Sequence, residues 1–166
     1  MQIPPPCLEQ GGAVSLGCHL GTGPAMLDCS PFENALAQLE KSLAYLNSAA
    51  ARNDPELRRQ FRAATIQAFE FTYELAMRMI RRQLAEIVVN PAELPQLPFM
   101  DFMRTAADAG LVREAPSFRL YREKRNITSH TYSEARAEEV IADLDRFVAD
   151  MLFVLAELKR RNDATD

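Results

Sequence analysis

From Pro55 to about residue 88 the chain carries no internal glycine or proline, and this run constrains the fold more than any other feature. So long a stretch without a breaker, with apolar residues three and four apart, predicts one long helix. It carries two apolar stripes. Leu57, Phe61, Ala64, Ala68, Phe71 and Leu75 form one, and Ile66, Phe69, Tyr73, Ala76, Ile80 and Ile87 form the other. Two stripes require neighbours on two sides, as for a helix inside a bundle. Between them runs a polar line of Gln67, Glu70, Glu74 and Arg78.

Helices are predicted on both sides of it. Ser30, Pro31, Phe32 and Glu33 combine a hydroxyl N-cap, a proline at the first helical position and a glutamate three residues after the cap. Phe32, Leu36, Leu39, Leu43, Leu46 and Ala50 then give one seam on a helix of about 20 residues. Asn53 and Asp54 before Pro55 stop that helix and start the long one. Asn90-Pro91, Pro95 and Pro98 make the next stretch a loop, with a short helix from about 98 to 109 capped by Gly110. Pro116 opens another helix carrying Phe118 and Leu120 or Tyr121. The last begins near Ser133 and shows Val140, Leu144, Phe147, Met151, Val154 and Leu158. No segment alternates with period two. The expected fold is all-α, an antiparallel four-helix up-and-down bundle with a short additional helix, over residues 30–162.

Residues 1–29 have a different composition. They hold five of the six glycines, a proline triplet and neither lysine nor arginine, too little apolar surface to fold alone. A flexible N-terminal tail is expected. Met26 stands just ahead of the first helix signal, so a start at Met26 is a second expectation; native N-terminal peptides covering residues 2–25 would exclude it. Cys7, Cys18 and Cys29 all fall here, and their odd number argues against a disulfide framework or a structural metal. No apolar run approaches the ~20 residues that span a bilayer, and no basic segment precedes an apolar one as in a secretory signal. A cytoplasmic protein is expected, without a membrane role. The net charge of -4 gives the whole molecule no electrostatic footprint for nucleic acid, so any such binding must be local.

Three features could carry chemistry. Glu70 and Glu74, at i and i+4, could hold a metal, but a di-metal bundle needs Glu-x-x-His pairs on facing helices, and His19 and His130 are the only histidines. Pairing with arginines of a neighbouring helix is the structural alternative. Arg113, Arg119, Arg122, Lys124 and Arg125 cluster against only Glu114 and Glu123, which is either a solvated face or a place where a phosphate backbone would dock. The third is the octet RNITSHTY, residues 125–132. On an unbroken helix Arg125 and His130 point to different faces. Ile127 and Thr128 are β-branched, and Thr128 and Ser129 can bond to nearby backbone, so these residues permit a helix break. A bend would bring Arg125, Asn126 and His130 to one spot, with Thr131 or Ser133 capping the last helix.

RNITSHTY, together with FRAATIQAFEFTYELAMRMI at 61–80 and AADAGLV at 106–112, resembles the HEPN superfamily. More closely it is similar to the bacterial nucleotidyltransferase substrate-binding group, to which HepT-like toxins are related. The resemblance covers about residues 32–160. Its motif is an arginine, usually followed by a polar residue, then four to six residues and a histidine and, in HepT-like members, a tyrosine two positions later; Arg125, Asn126, His130 and Tyr132 fill those places. It implies a bundle that forms a homodimer with two such motifs meeting across the interface. It also implies metal-independent RNase activity, no cofactor, and a minimal nucleotidyltransferase partner encoded nearby, in toxin–antitoxin pairs. That partner neutralises the toxin, in some cases by AMPylation of the motif tyrosine, here Tyr132. Arg125 and His130 would be catalytic, Asn126 would orient the phosphate or the arginine, and Glu70 or Glu74 would hold Arg125. The ligand would be RNA or a nucleotide. The alternative is a non-catalytic nucleotide- or substrate-binding regulatory subunit. The chain has no Gly-Ser loop with paired aspartates, so it is not itself expected to be a nucleotidyltransferase. Asp143 and Asp145 at i and i+2 on a helix would diverge.

Overall fold

The computed structural model describes residues 26–128 and 133–164, which contain seven α-helices, one 3-10 turn and no strand. The long helix is α3, Pro55–Ile87. Its start follows from the sequence: Asp54 is extended, its Oδ1 accepts from the backbone N–H of Glu56 at 2.9 Å and of Leu57 at 3.1 Å, and Pro55 takes the first helical position. Replacing Asp54 by alanine is expected to cost about 1 kcal/mol, read as a lower urea midpoint with unchanged slope. An unmoved midpoint would mean that Pro55 alone fixes the start.

The expected first helix is two. α1, Ser30–Leu46, ends at Asn47, and Ser48 caps a short α2, Ala49–Asn53, by accepting from Ala51 N–H at 3.2 Å. Ala51, not Ala50, is the buried residue of α2. Ser30 is the first helical residue rather than the cap; its N–H donates to Asp28 Oδ1 at 3.0 Å. The packed unit also takes in residues that composition grouped with the tail. Leu27 and Cys29 are buried, and the Leu27 backbone exchanges two hydrogen bonds with the Asn162 side chain.

After a 3-10 turn at Pro91–Gln96, α4 (Phe99–Asp108) ends on Gly110 at φ +72°. Gly110 N–H donates to Ala107 O and Leu111 N–H to Ala106 O, a left-handed closure that suits glycine. α5 is Ala115–Thr128. The expected last helix is also interrupted. α6, Glu134–Ile141, starts on Ser133, whose side chain accepts from Arg136 N–H, and α7, Leu144–Asp163, follows a break at Asp143, φ 64°. Asp143 therefore does not share a helix register with Asp145. Buried Lys124 of α5 closes this corner, donating to Glu139 O at 2.6 Å with Asp143 Oδ2 at 4.0 Å, and burial pulls its pKa below the usual lysine range.

α3 packs against α1, α5, α6 and α7, and α1 against α7. Phe69, Tyr121 and Phe147 meet edge to face in the core, with Phe147 centroids 4.9 and 5.0 Å from the other two rings. Tyr121 donates to Asp150 Oδ2 at 2.6 Å, and burial together with that carboxylate holds its hydroxyl above the usual tyrosine range. Of the two stripes on α3, only the one with Ile66, Phe69, Tyr73, Ala76 and Ile80 is buried, and its outer member Ile87 is exposed. On the other, Ala68 is buried, Leu57, Phe61 and Leu75 are half-buried, and Phe71 is 59% exposed. Within one chain, α3 covers one side only. No helix among the described residues is long and apolar enough to cross a membrane.

Candidate functional site

The last turn of α5 lies against the middle of α3, and the polar line predicted on α3 faces it. Arg125 Nε donates to Glu74 Oε1 at 2.8 Å, a pair that is part-exposed. Glu70 is engaged differently. Its Oε1 lies 2.5 Å from Thr128 Oγ1, which is also 2.6 Å from Arg125 O, so the single hydroxyl proton is shared between two acceptors. Asn126 is exposed. α5 is described to Thr128 and α6 begins at Glu134 after an extended Ser133; the expected helix break between Arg125 and His130 falls partly outside the described residues. His130 and Tyr132 lie outside the described residues.

The chain on both sides of that segment is tied to α3. On the near side the tie is Thr128 to Glu70. On the far side Arg62, buried on α3, donates to Glu134 at 2.8 Å and to Glu138 at 2.9 Å, and Arg58 adds a 3.2 Å contact to Glu138. The bond to Arg62 holds the Glu134 carboxyl below the usual carboxylate range. Arg62, Ile66, Glu70 and Glu74 recur every four residues, so α3 presents one continuous line to α5 and α6. Arg62 was not singled out by sequence, although it extends the Gln67–Arg78 polar line toward the N-terminus with helical spacing.

Two open clefts meet along this line. One of 530 Å³ lies between Arg59, Arg62 and Gln67 of α3 and Thr128, Ser133 and Glu134; the other, 410 Å³, is lined by Gln67, Glu70, Phe71, Glu74 and Arg125. They share Gln67 and Glu70. Behind Arg125, burial pushes the Tyr73 hydroxyl up to about 12, with Arg122 and Arg125 opposing and Glu74 adding to the shift. At neutral pH it is a neutral phenol. Among the described residues no group of three or more histidine, cysteine, aspartate or glutamate side chains is placed to hold a metal ion. The arrangement offers a guanidinium steadied at one nitrogen, with donors remaining for a phosphate or carboxylate in the cleft.

Residues 27–160 match the family model for proteins described as nucleotidyltransferase substrate binding protein like. A protein of Haemophilus influenzae named probable ribonuclease HepT is 40% identical over 100 residues, 60% of this chain and 68% of that protein. A solved structure from the same species, described as the fold of a substrate binding domain of a nucleotidyltransferase, superposes with a TM-score of 0.76 at 30% identity, covering 80% of this chain and 99% of the other. The chain therefore belongs to the nucleotidyltransferase substrate binding protein like family, as a HepT-like member of HEPN type.

Proposed function

We propose that this chain is the toxin-like, substrate-binding subunit of a minimal nucleotidyltransferase in a two-gene cytoplasmic module, with a metal-independent RNase site at Arg125 and His130. One observation carries the reading: Arg125 sits near the end of α5 on the rim of an open cleft, its Nε held 2.8 Å from Glu74. The relative named probable ribonuclease HepT supports the activity, and the family description supports the partner.

In this reading His130 exchanges a proton with the ribose 2′-OH or the leaving oxygen near neutral pH. Arg125 stabilises the charge that develops on the phosphorus oxygens, and Asn126 orients the phosphate. Glu74 aims Arg125, while Glu70 acts on Thr128 and so on the end of α5. An acid and a base require two histidines, and one motif supplies one. A homodimer completes the site, and the exposed Phe71 beside Arg125 in the same cleft is the apolar surface it would cover. The long helices α1, α3, α5 and α7 would form the antiparallel bundle of each protomer. Tyr132 is the residue on which the partner would place AMP to silence the site.

One observation favours a second reading, a non-catalytic nucleotide-binding regulatory subunit: Glu70 and Glu74 line the cleft beside Arg125 and disfavour a polyanion. Incubating purified wild type and His130→Ala with tRNA and mRNA separates the two. Cleavage by wild type that is lost in the variant supports the RNase. No cleavage, or cleavage equal in both, leaves the binding subunit.

A further inference from the structure

α3 carries Glu70 and Glu74 opposite Arg125 and then, further along its sequence, Arg78, Arg81 and Arg82, while α5 adds Arg122; of these arginines, Arg81 and Arg122 meet across one cleft. In a chain with 23 acidic and 19 basic residues, arginines ordinarily find carboxylates. Arg58, Arg59, Arg62, Arg104, Arg125 and Arg146 all do so here. Among the described residues, Arg78, Arg81, Arg82 and Arg122 form no ion pair.

Two of the four are also fixed in place. The Arg122 guanidinium lies 4.5 Å over the Phe99 ring and that of Arg81 5.2 Å over Phe102. Stacking of this kind holds a guanidinium flat and leaves its in-plane donors and its outer face open. Both arginines line one cleft of 220 Å³, whose other walls include Pro95, Leu97, Phe99 and Phe102. Drug-sized ligands occupy about 300–1,000 Å³, so this space suits one flat ring and not a larger ligand. Apolar walls and planar cations for a base, with unmet donors for a phosphate at the rim, are the elements by which single-stranded nucleic acid is held.

We propose that the cleft between Arg81 and Arg122, walled by Pro95, Leu97, Phe99 and Phe102, binds one nucleotide unit, an unpaired base with its phosphate. Arg122 precedes Arg125 by three residues, one turn along the same side of α5, so a strand seated there reaches the Arg125 cleft with its next nucleotides. That extension rests on the RNase reading; the binding itself does not.

The test is equilibrium binding to a short, unstructured, fluorescently labelled 2′-O-methyl RNA, which lacks the free 2′-OH and cannot be cleaved through it. The full chain is compared with Arg81→Gln/Arg122→Gln, with Phe99→Leu and with Arg146→Gln as a control on α7. The double variant should bind about tenfold more weakly, and its log affinity against log salt should flatten by about 0.7, the slope for the one phosphate seated in this cleft. Phe99→Leu should weaken binding about threefold with the salt slope unchanged, because it removes stacking and not charge. Arg146→Gln should match wild type. Competition by AMP and by inorganic phosphate identifies the source: RNA displaced by AMP at its own binding constant indicates a free-nucleotide site, and RNA resistant to AMP indicates a strand site. Either supports a nucleotide unit. Phosphate competing as well as AMP, a double variant equal to wild type, or Phe99→Leu without effect would overturn the proposal. Cleavage of ordinary RNA by the double variant at saturating substrate reports separately on Arg125 and His130.

Discussion

Replacing Arg125 by alanine should lower the rate of RNA cleavage by about 10²–10³-fold, the loss seen when one preorganised donor to a developing oxyanion is removed. Folding should barely change. The Arg125–Glu74 pair is part-exposed, with side-chain accessibilities of 33% and 52%, and pairs of this kind contribute at most about 1 kcal/mol. A large kinetic loss with little movement of the melting temperature is therefore the signature of a residue that acts on the phosphate. Arg125→Lys keeps the charge and loses the planar fork, so it should recover only part of the rate. Glu74→Gln tests the positioning role: the guanidinium keeps its charge and loses its ionic partner, and the rate should fall less than in Arg125→Ala while substrate affinity rises as a carboxylate leaves the cleft. Initial rates on one defined RNA, wild type beside the three variants, decide it. A rate for Arg125→Ala within threefold of wild type would remove this residue from the chemistry.

Phe147→Ala should cost about 3–5 kcal/mol, out of a total stability of about 5–15 kcal/mol for a domain of this kind. The ring is fully buried and touches both Phe69 and Tyr121 edge to face. Removing it deletes transfer energy from α7, opens a cavity between α3 and α7, and strips two aromatic contacts at once. Tyr121 is pinned at its other end by Asp150, so it cannot swing to fill the void. Phe147→Leu keeps most of the volume and should cost clearly less. Urea denaturation followed by circular dichroism measures both; a loss below about 1.5 kcal/mol for the alanine variant would mean that the core recloses around the gap.

The sequence was most legible where one physical signal dominated. Asp54-Pro55 and the breaker-free run behind it located α3, because capping and propensity agree there. Gly110 likewise marked the end of α4 through the one conformation that favours glycine. Interruptions inside periodic stretches were harder to read. The buried positions Val140 and Leu144 keep their four-residue spacing across the break at Asp143 because the segments on both sides bury a face in the same core, so periodicity does not reveal the turn. Asp143 tolerates a left-handed backbone, but so do many helical aspartates that never adopt it. The break after α1 had a local sign, Ser48, whose hydroxyl outcompeted the continuing apolar seam. At the site, helical spacing put Glu70 and Glu74 on the face toward α5, yet only the packing distinguishes their partners, Thr128 for one and Arg125 for the other. The stacking of Arg81 and Arg122 on rings of α4 depends on contacts between segments far apart in sequence and had no local signal.

The homodimer proposed above would use the half-open stripe of α3 to bring this protein under mass action. Phe71 stands open beside Arg125, and a second copy seated there, as proposed, would meet that surface only when α3 is folded. Binding of that kind adds stability in proportion to the logarithm of concentration. In the proposed dimer the melting temperature would rise with protein concentration, and RNase activity and stability would fall together on dilution.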